Sequence, residues 1–412
     1  MKLRRLLFLG SVCLFSVICV QGLGFGAEKV RGVTSDSIRI GVSAPLTKFM
    51  GNSGRQSVAA ITAYTNYIND MGGINGRKIV LVIDDSQVDP SISLGIFKKQ
   101  VYSDNVFALF SWGTPPTGVL IKPAMEAKIP LLIEGAAKSF YLPPKKYVFC
   151  FMPPYELQTA TCVSYIHDVL KKERAKIAIF WRNDDYGKTG LLGGEVAAKY
   201  YKYEVVAKPS YIFGQAIDFT SEVMAIKRAD ADFVLLSSAA GDVASFLREA
   251  KNQRLRAVNI GVLAPCSERQ IIFQAGDAAK DYISIQTISM FKETEIPGVS
   301  KMLEIARKYT PKEILAEESF YYTYANYIFM TIYEGLRRAG ADLTQENFVT
   351  RGLETIQNYS GDGLGPASSF TSGKHYSAEA SFLGKVNMDT KNFDRITGWL
   401  TPPQTLINEI FK

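Results

Sequence analysis

The chain has 412 residues, of which 47% are hydrophobic, 21% charged and 12% aromatic. That balance excludes a disordered or collagen-like chain, and the length predicts two to three domains of ordinary size. The formal net charge is +7, and no apolar run beyond the start of the chain is long enough for a membrane span, which excludes a multi-span membrane protein.

Lys2, Arg4 and Arg5 precede an apolar stretch from Leu6 to Val20 and a small-residue segment from Gln21 to Ala27. That order reads as a secretory signal peptide over residues 1–26, with Gly24 and Gly26 small enough for a cut before Ala27. The rival reading is an uncleaved anchor, disfavoured because the core falls short of the roughly 20 residues a span needs. A lipid anchor is not expected, because Val12 before Cys13 and Ile18 before Cys19 are not small. Removing the segment lowers Lys plus Arg from 47 to 44 against 40 Asp plus Glu, a net charge of +4. Nucleic-acid binding thereby loses its main support. Cys150, Cys162 and Cys266 remain, and an odd count is no disulfide scaffold. Cys150 and Cys162 either pair in an oxidising compartment or sit as small buried hydrophobes.

From Ile38 onward, short apolar runs alternate with longer amphipathic ones. Ile38 to Val42 reads as a strand. Asn52 or Ser53 is placed to cap a helix carrying Val58, Ile61, Thr65 and Ile68 at 3–4 spacing. Gly72-Gly73 ends it, and Asn75-Gly76 makes a tight turn into a second strand, Ile79 to Ile83. Helix Ser91–Tyr102, strand Val106–Phe110, a helix after Pro116 and strand Ile129–Ile133 follow. Tyr147 to Met152 is a strand that runs into Pro153-Pro154, a stiff break suited to crossing between domains. A helix over Glu156–Leu170 and strand Lys176–Trp181 open a second series. It contains further strands at Tyr203–Ala207, Asp232–Ser237, Val258–Leu263 and Tyr282–Ile288. Its helices start near Gly187 and run through Phe219–Arg228 and Asp242–Lys251. Helices Val299–Lys308 and Glu318–Arg338 and a tail with short strand-like pieces form no unit of their own. Strand–helix alternation of this kind predicts α/β architecture, mainly parallel sheets flanked by helices. The expected division is lobe 1 over 27–152 plus 289–379 and lobe 2 over 153–288 plus 380–412. A chain crossing several times between lobes makes a hinge, with the ligand in the cleft.

Catalytic constellations are missing. His167 and His375 stand in no metal-binding pattern, and no nucleophile elbow, phosphate loop or dinucleotide fingerprint occurs. Asp84-Asp85, at a strand end, is either an acid/base pair or a cap for the following turn. The expectation is a binding protein, not an enzyme, with no metal or cofactor. A secreted enzyme of doubly wound type is the rival that these absences disfavour.

Ile40-Gly41-Val42-Ser43-Ala44-Pro45-Leu46-Thr47 resembles the opening strand and loop of the type I periplasmic binding proteins of the Leu/Ile/Val-binding family. Ile68 to Arg77 resembles that family's Asn-x-x-Gly-Gly-Ile-x-Gly turn, the most specific match. Asp84 to Pro90, Asp184-Asp185-Tyr186-Gly187 and Ala275 to Ala279 resemble three further family segments. The five follow family order and cover residues 38 to about 400.

The resemblance implies two Rossmann-like lobes that close on a small solute. It implies a periplasmic, monomeric receptor that delivers the solute to the membrane permease of an ABC importer, or, alternatively, to a signalling partner. It also implies contacts. Trp112, Gly113 and Thr114 match a loop that gives a hydroxyl and backbone N–H groups to a ligand carboxylate. Gly135, Ala136 and Ala137 match a second contact loop, in which Ala137 lacks a hydroxyl that relatives often have. Tyr186 matches a cleft tyrosine, and Phe49 falls near an aromatic position. Ala239 replaces a family tyrosine, and the segment at Leu263 lacks the acid that amino-acid binders set against the ligand ammonium, the nearest being Glu268. Arg55 and Arg182 are candidate carboxylate clamps. Each has a plainer reading: Trp112 packs under its loop, Arg182 is solvated at the rim, and Arg55 pairs with a neighbour. The run Phe320 to Tyr327 reads as helix packing. The tail segments at Lys374–Ser377 and Thr397–Trp399 resemble the aromatic-acid branch of the family. The expected ligand is a small carboxylate with an aromatic or apolar body, with a branched-chain amino acid as the alternative.

Overall fold

The computed structural model describes residues 30–214 and 218–412. The expected signal peptide, residues 1–26, lies outside the described residues. Thirteen strands occur among them, and we number them in chain order. The first five are β1 (Ser37–Ala44), β2 (Lys78–Asp85), β3 (Ala108–Ser111), β4 (Leu131–Ile133) and β5 (Val148–Cys150). They form one parallel sheet in the order β2-β1-β3-β4-β5. β1 is central and flanked by helices, so nearly every residue from Ile40 to Ala44 is buried, whichever way it points.

The second sheet begins with β6 (Lys176–Arg182), β7 (Glu204–Ala207), β8 (Ser210–Tyr211), β9 (Phe233–Ser237), β10 (Val258–Gly261) and β11 (Ile283–Gln286). β12 (Phe382–Asn387) and β13 (Asn392–Arg395) complete it. The order is β13-β12-β11-β10-β9-β6-β7, with β8 also on β6. The antiparallel pairs are β11–β12 and β12–β13, so β12 alone runs against the other strands. In both sheets the chain first steps to one side of its opening strand and then resumes on the other. Such a reversal of strand order leaves a crevice at the carboxyl ends of the two strands between which it happens. These strands are β1 and β3 in one sheet and β6 and β9 in the other.

After β11 the chain returns to the first lobe. Helices Pro297–Tyr309 and Phe320–Ala339 both pack on helix Gly51–Asp70. The Tyr64 and Tyr333 rings stack at 5.7 Å, and the Thr65 and Tyr333 hydroxyls meet at 2.5 Å. The aromatic run is thus largely helix packing. β12 and β13 then rejoin the second sheet, and helix Gln404–Phe411, which the sequence reading did not include, packs on helix Asp185–Tyr200. The chain passes between lobes near Pro153-Pro154, after β11 and before β12.

One local expectation needs correction, and one open alternative is decided. Neither Asn52 nor Ser53 caps the first long helix. It begins at Gly51 behind Met50, whose φ of 63° is left-handed and whose side chain accepts no capping bond. Asn52 reaches instead to the Glu317 carboxylate at 2.5 Å. Cys150 and Cys162 are unpaired, and both are buried as small apolar side chains.

Close approach at Gly54 fixes the loop after β1. A Cβ there would lie 1.6 Å from the Pro45 carbonyl oxygen. Gly54→Ala is therefore expected to destabilise the fold by about 1–3 kcal/mol through overpacking. Gly398→Ala, with no atom within 4 Å, serves as the control in paired denaturant melts; equal midpoints for the two variants would contradict this reading.

Candidate functional site

The carboxyl end of β1 leads into a loop that Asp85, at the end of β2, holds in place. Asp85 accepts the Leu46 N–H at 2.8 Å, the Thr47 hydroxyl at 2.5 Å and the Gln87 N–H at 3.1 Å. Asp84 is held by Lys99 and Gln100. The pair therefore serves the turn, and no substrate group is needed to explain it. The loop presents Phe49 and Met50 to a cavity between the lobes. Arg55 does not reach that cavity. It donates to the Leu46 carbonyl at 2.8 Å and to Asn52, bracing the loop from behind.

β3 delivers Trp112, Gly113 and Thr114 to the same cavity. The Trp112 indole N–H donates to the Ser57 hydroxyl at 3.1 Å, and its ring lies 5.1 Å from that of Tyr321. Gly113 has φ 88°, a conformation that favours glycine. The loop offers fewer backbone donors than expected. The Gly113 N–H is already given to Glu134 at 3.0 Å, and Pro115 and Pro116 have none. The Thr114 hydroxyl, by contrast, is buried beside the Tyr155 hydroxyl and makes no well-formed hydrogen bond among the described residues.

β4 contributes Glu134 and not the three residues after it. Gly135 stands behind Thr114, where a Cβ would approach the Thr114 hydroxyl to 3.0 Å. The Ala136 carbonyl accepts the Tyr155 N–H at 3.0 Å and the Tyr141 hydroxyl at 3.1 Å. Ala137 opens the short helical turn Lys138–Phe140. All three are outside the cavity wall, where Glu134, the first residue beyond β4, stands instead.

The second sheet supplies the opposite wall. β6 ends at Arg182, which is buried and paired with Asp184 at 2.7 Å. Its guanidinium lies over the rings of Tyr186 and Phe213, at 4.6 and 4.8 Å. It is a packed cation, not a solvated rim residue. The Tyr186 hydroxyl donates to the Ser238 carbonyl at 3.2 Å, and its ring meets Tyr155 edge-on at 5.3 Å. Ala239 and Pro265 complete this wall, while Leu263 lies fully buried beneath it. Glu268 is engaged elsewhere. It accepts the Ser319 hydroxyl at 2.7 Å and the Tyr321 N–H at 3.3 Å, holding the start of helix Phe320–Ala339. Phe49 and Phe213, one from each side, pack at 4.4 Å across the cleft.

The enclosed space is about 210 Å³. Its charged groups are the Arg182–Asp184 pair and Glu134. Glu134 is 3% exposed, and burial pushes its carboxyl up to about 7, against the opposing effect of the Gly113 N–H. Burial also raises the Tyr155, Tyr186 and Tyr321 hydroxyls well above their ordinary range. Sequence reasoning missed Glu134, Tyr155, Tyr321 and Phe213. Glu134 was accessible to it, being the first residue beyond β4 in a sheet whose strand ends carry the site. Tyr321 was hidden in a run whose other members pack in the helix. Phe213 carries no sequence signal. Among the described residues, no cluster of three or more His, Cys, Asp or Glu side chains could hold a metal ion, and no helix is long and apolar enough to cross a membrane.

Comparison with known proteins agrees with this architecture. A family model described as periplasmic binding protein matches residues 37–391. The Leu/Ile/Val-binding protein homolog 7 of Brucella suis is 27% identical over 227 residues, 52% of this chain and 56% of that one. Homolog 8 of the same organism is 25% identical over 61% of each chain. The chain thus spans somewhat more than half the length of these curated relatives. Among solved structures, a branched-chain amino acid ABC transporter protein of Thermus thermophilus with bound valine superposes with TM-score 0.80 at 22% identity, covering 90% of this chain and 97% of that one. A fatty acid ABC transporter substrate-binding protein of Thermomonospora curvata gives 0.79 at 21% identity, covering 92% and 96%. At such identity these structures speak for the fold. With its two reversed-order sheets meeting at their carboxyl ends, and a family model matched over most of its length, the chain belongs to the periplasmic binding protein family.

Proposed function

We propose that this protein is the extracytoplasmic receptor of an ABC importer, a monomer that closes on a small organic acid and presents it to a membrane permease. The moving bodies are the lobes expected from the sequence, 27–152 with 289–379 and 153–288 with 380–412. The ligand is a carboxylate with an aromatic or apolar body. One observation carries the reading: a cavity between the lobes walled by Trp112, Tyr155, Tyr186 and Tyr321, with Thr114, whose buried hydroxyl makes no well-formed hydrogen bond and lies beside that of Tyr155, in the same wall. Aromatic walls favour a flat or aliphatic body, and an unpaired buried hydroxyl is a cost that a bound polar group removes. The Thermomonospora relative, described as a fatty acid binder, is consistent with an acid on an apolar body.

Closure is a population shift. A ligand favours the closed form by the contacts it adds with the second lobe. The Arg182–Tyr186 face supplies those contacts, and Phe49 against Phe213 seals the entrance.

A branched-chain amino acid is the second reading. It is favoured by Glu134, whose carboxyl could face a ligand ammonium, and by the Thermus relative described with bound valine. Calorimetric titration of the purified protein with benzoate and cinnamate analogues, medium-chain fatty acids, and leucine, isoleucine and valine decides between the two. Binding of the acids lacking an amino group, with weaker or no leucine binding, is expected; micromolar leucine binding with those acids silent would overturn the preference.

Thr114→Val keeps the shape of the side chain and removes its hydroxyl. Affinity for the best acid is expected to fall about tenfold or more, with the melting temperature of the ligand-free protein unchanged or raised. Unchanged affinity would remove Thr114 from the site.

A further inference from the structure

Glu134 is the one charged group of the cavity without an ionic partner among the described residues. Its carboxyl lines the wall directly beside Thr114. One oxygen accepts the Gly113 N–H at 3.0 Å, and no Lys, Arg or His pairs with it. Arg182, the one cation of the cavity wall among the described residues, is paired with Asp184 at 2.7 Å, which leaves its buried Nε–H unbonded. A carboxylate ligand entering this small space would meet a second carboxylate. Two such groups a few ångströms apart in a water-poor site do not both ionise; they share a proton.

We propose that the protein captures its acid together with one proton, held between the ligand carboxylate and Glu134. This deepens the proposed function and rests on it. Glu134 thereby becomes a specificity-determining residue. It accepts the neutral pair of an organic acid and a proton, and it would reject a doubly charged anion.

The surroundings leave Glu134 as the group that titrates at the cavity near neutrality. Tyr155 faces it from helix Tyr155–Ser164, and Tyr321 and Tyr324 from helix Phe320–Ala339; burial raises all three hydroxyls far above neutrality. Cys150, behind it on β5, is also pushed up by burial. Glu156 and Glu268 are raised to about 7 by burial too, but neither lines the cavity: Glu156 accepts the Lys138 N–H at 3.3 Å, and Glu268 the Ser319 hydroxyl and the Tyr321 N–H. The sign follows. Below the Glu134 midpoint, about 7, the proton is already present and affinity is flat. Above it, the ligand must recruit the proton, and affinity falls about tenfold per pH unit.

The test is calorimetry of benzoate, or of the tightest acid found, on the full-length mature protein between pH 5.5 and 9. Buffers of different ionisation enthalpy report the protons taken up. Net uptake approaching one proton above pH 7.5 and a falling affinity are expected. Glu134→Gln, a neutral isostere, should bind with little pH dependence, while Glu156→Gln keeps the wild-type dependence. Affinity independent of pH, or proton release on binding, in the wild type would overturn the proposal, and those measurements need no variant. Absence of binding by every acid at every pH would instead overturn the function on which it rests.

Discussion

The site depends on one constraint of chain topology. A parallel sheet that reverses its strand order opens a crevice at the carboxyl ends of the strands flanking the reversal. Two such sheets, β1/β3 against β6/β9, face each other across the cleft here. Much of the wall follows strand ends at that meeting: Phe49 after β1, Thr114 after β3, Glu134 after β4, Tyr186 after β6 and Ala239 after β9, with Tyr155 and Tyr321 added from helices. The remaining parts serve to keep the strand ends in register. Asp85 ties the β1 loop, Trp112 is tied to Ser57, and Glu268 of the second lobe holds the helix that carries Tyr321.

The polar groups of the cavity are largely engaged with one another. The charge of Arg182 is paired with Asp184 and stacked on aromatic rings, with its buried Nε–H unbonded. The nearby backbone donor at Gly113 is turned to Glu134. A bare anion would therefore find little positive potential, and an unpaired buried charge is costly. A protonated Glu134 changes this, converting an acceptor into a donor beside the Thr114 hydroxyl. The entrance contributes less. An aromatic pair such as Phe49–Phe213 is worth roughly 0.5–1.5 kcal/mol, against about 8 kcal/mol for a micromolar ligand. The ligand, not the lid, must decide which form the protein holds.

Much of the fold was legible in the sequence. The strand–helix alternation predicted parallel sheets, and the Asn75-Gly76 turn stands where its residues demand, with φ of 50° and 78°. Helix starts were less legible: Met50 begins a helix in a left-handed conformation that no capping rule names. At the site, loop residues with distinctive side chains, such as Phe49, Trp112, Thr114, Arg182, Tyr186 and the small Ala239, come together in one cavity. Arg55, Gly135, Ala136, Ala137 and Leu263 do not, since a shift of one or two residues along a loop moves a side chain from wall to support. Tyr155 and Glu134 were overlooked for a related reason. An aromatic ring or carboxyl next to a strand end reads as core or cap until the opposite lobe is in place.

The most direct measurement is a crystal structure of the protein purified with the solute it retains. The account predicts density for a single small acid between Thr114 and Tyr186, with its carboxylate within hydrogen-bond reach of Glu134. Ligand density outside the cleft, or a carboxylate held by Arg55 or Glu268 and remote from Glu134, would contradict it.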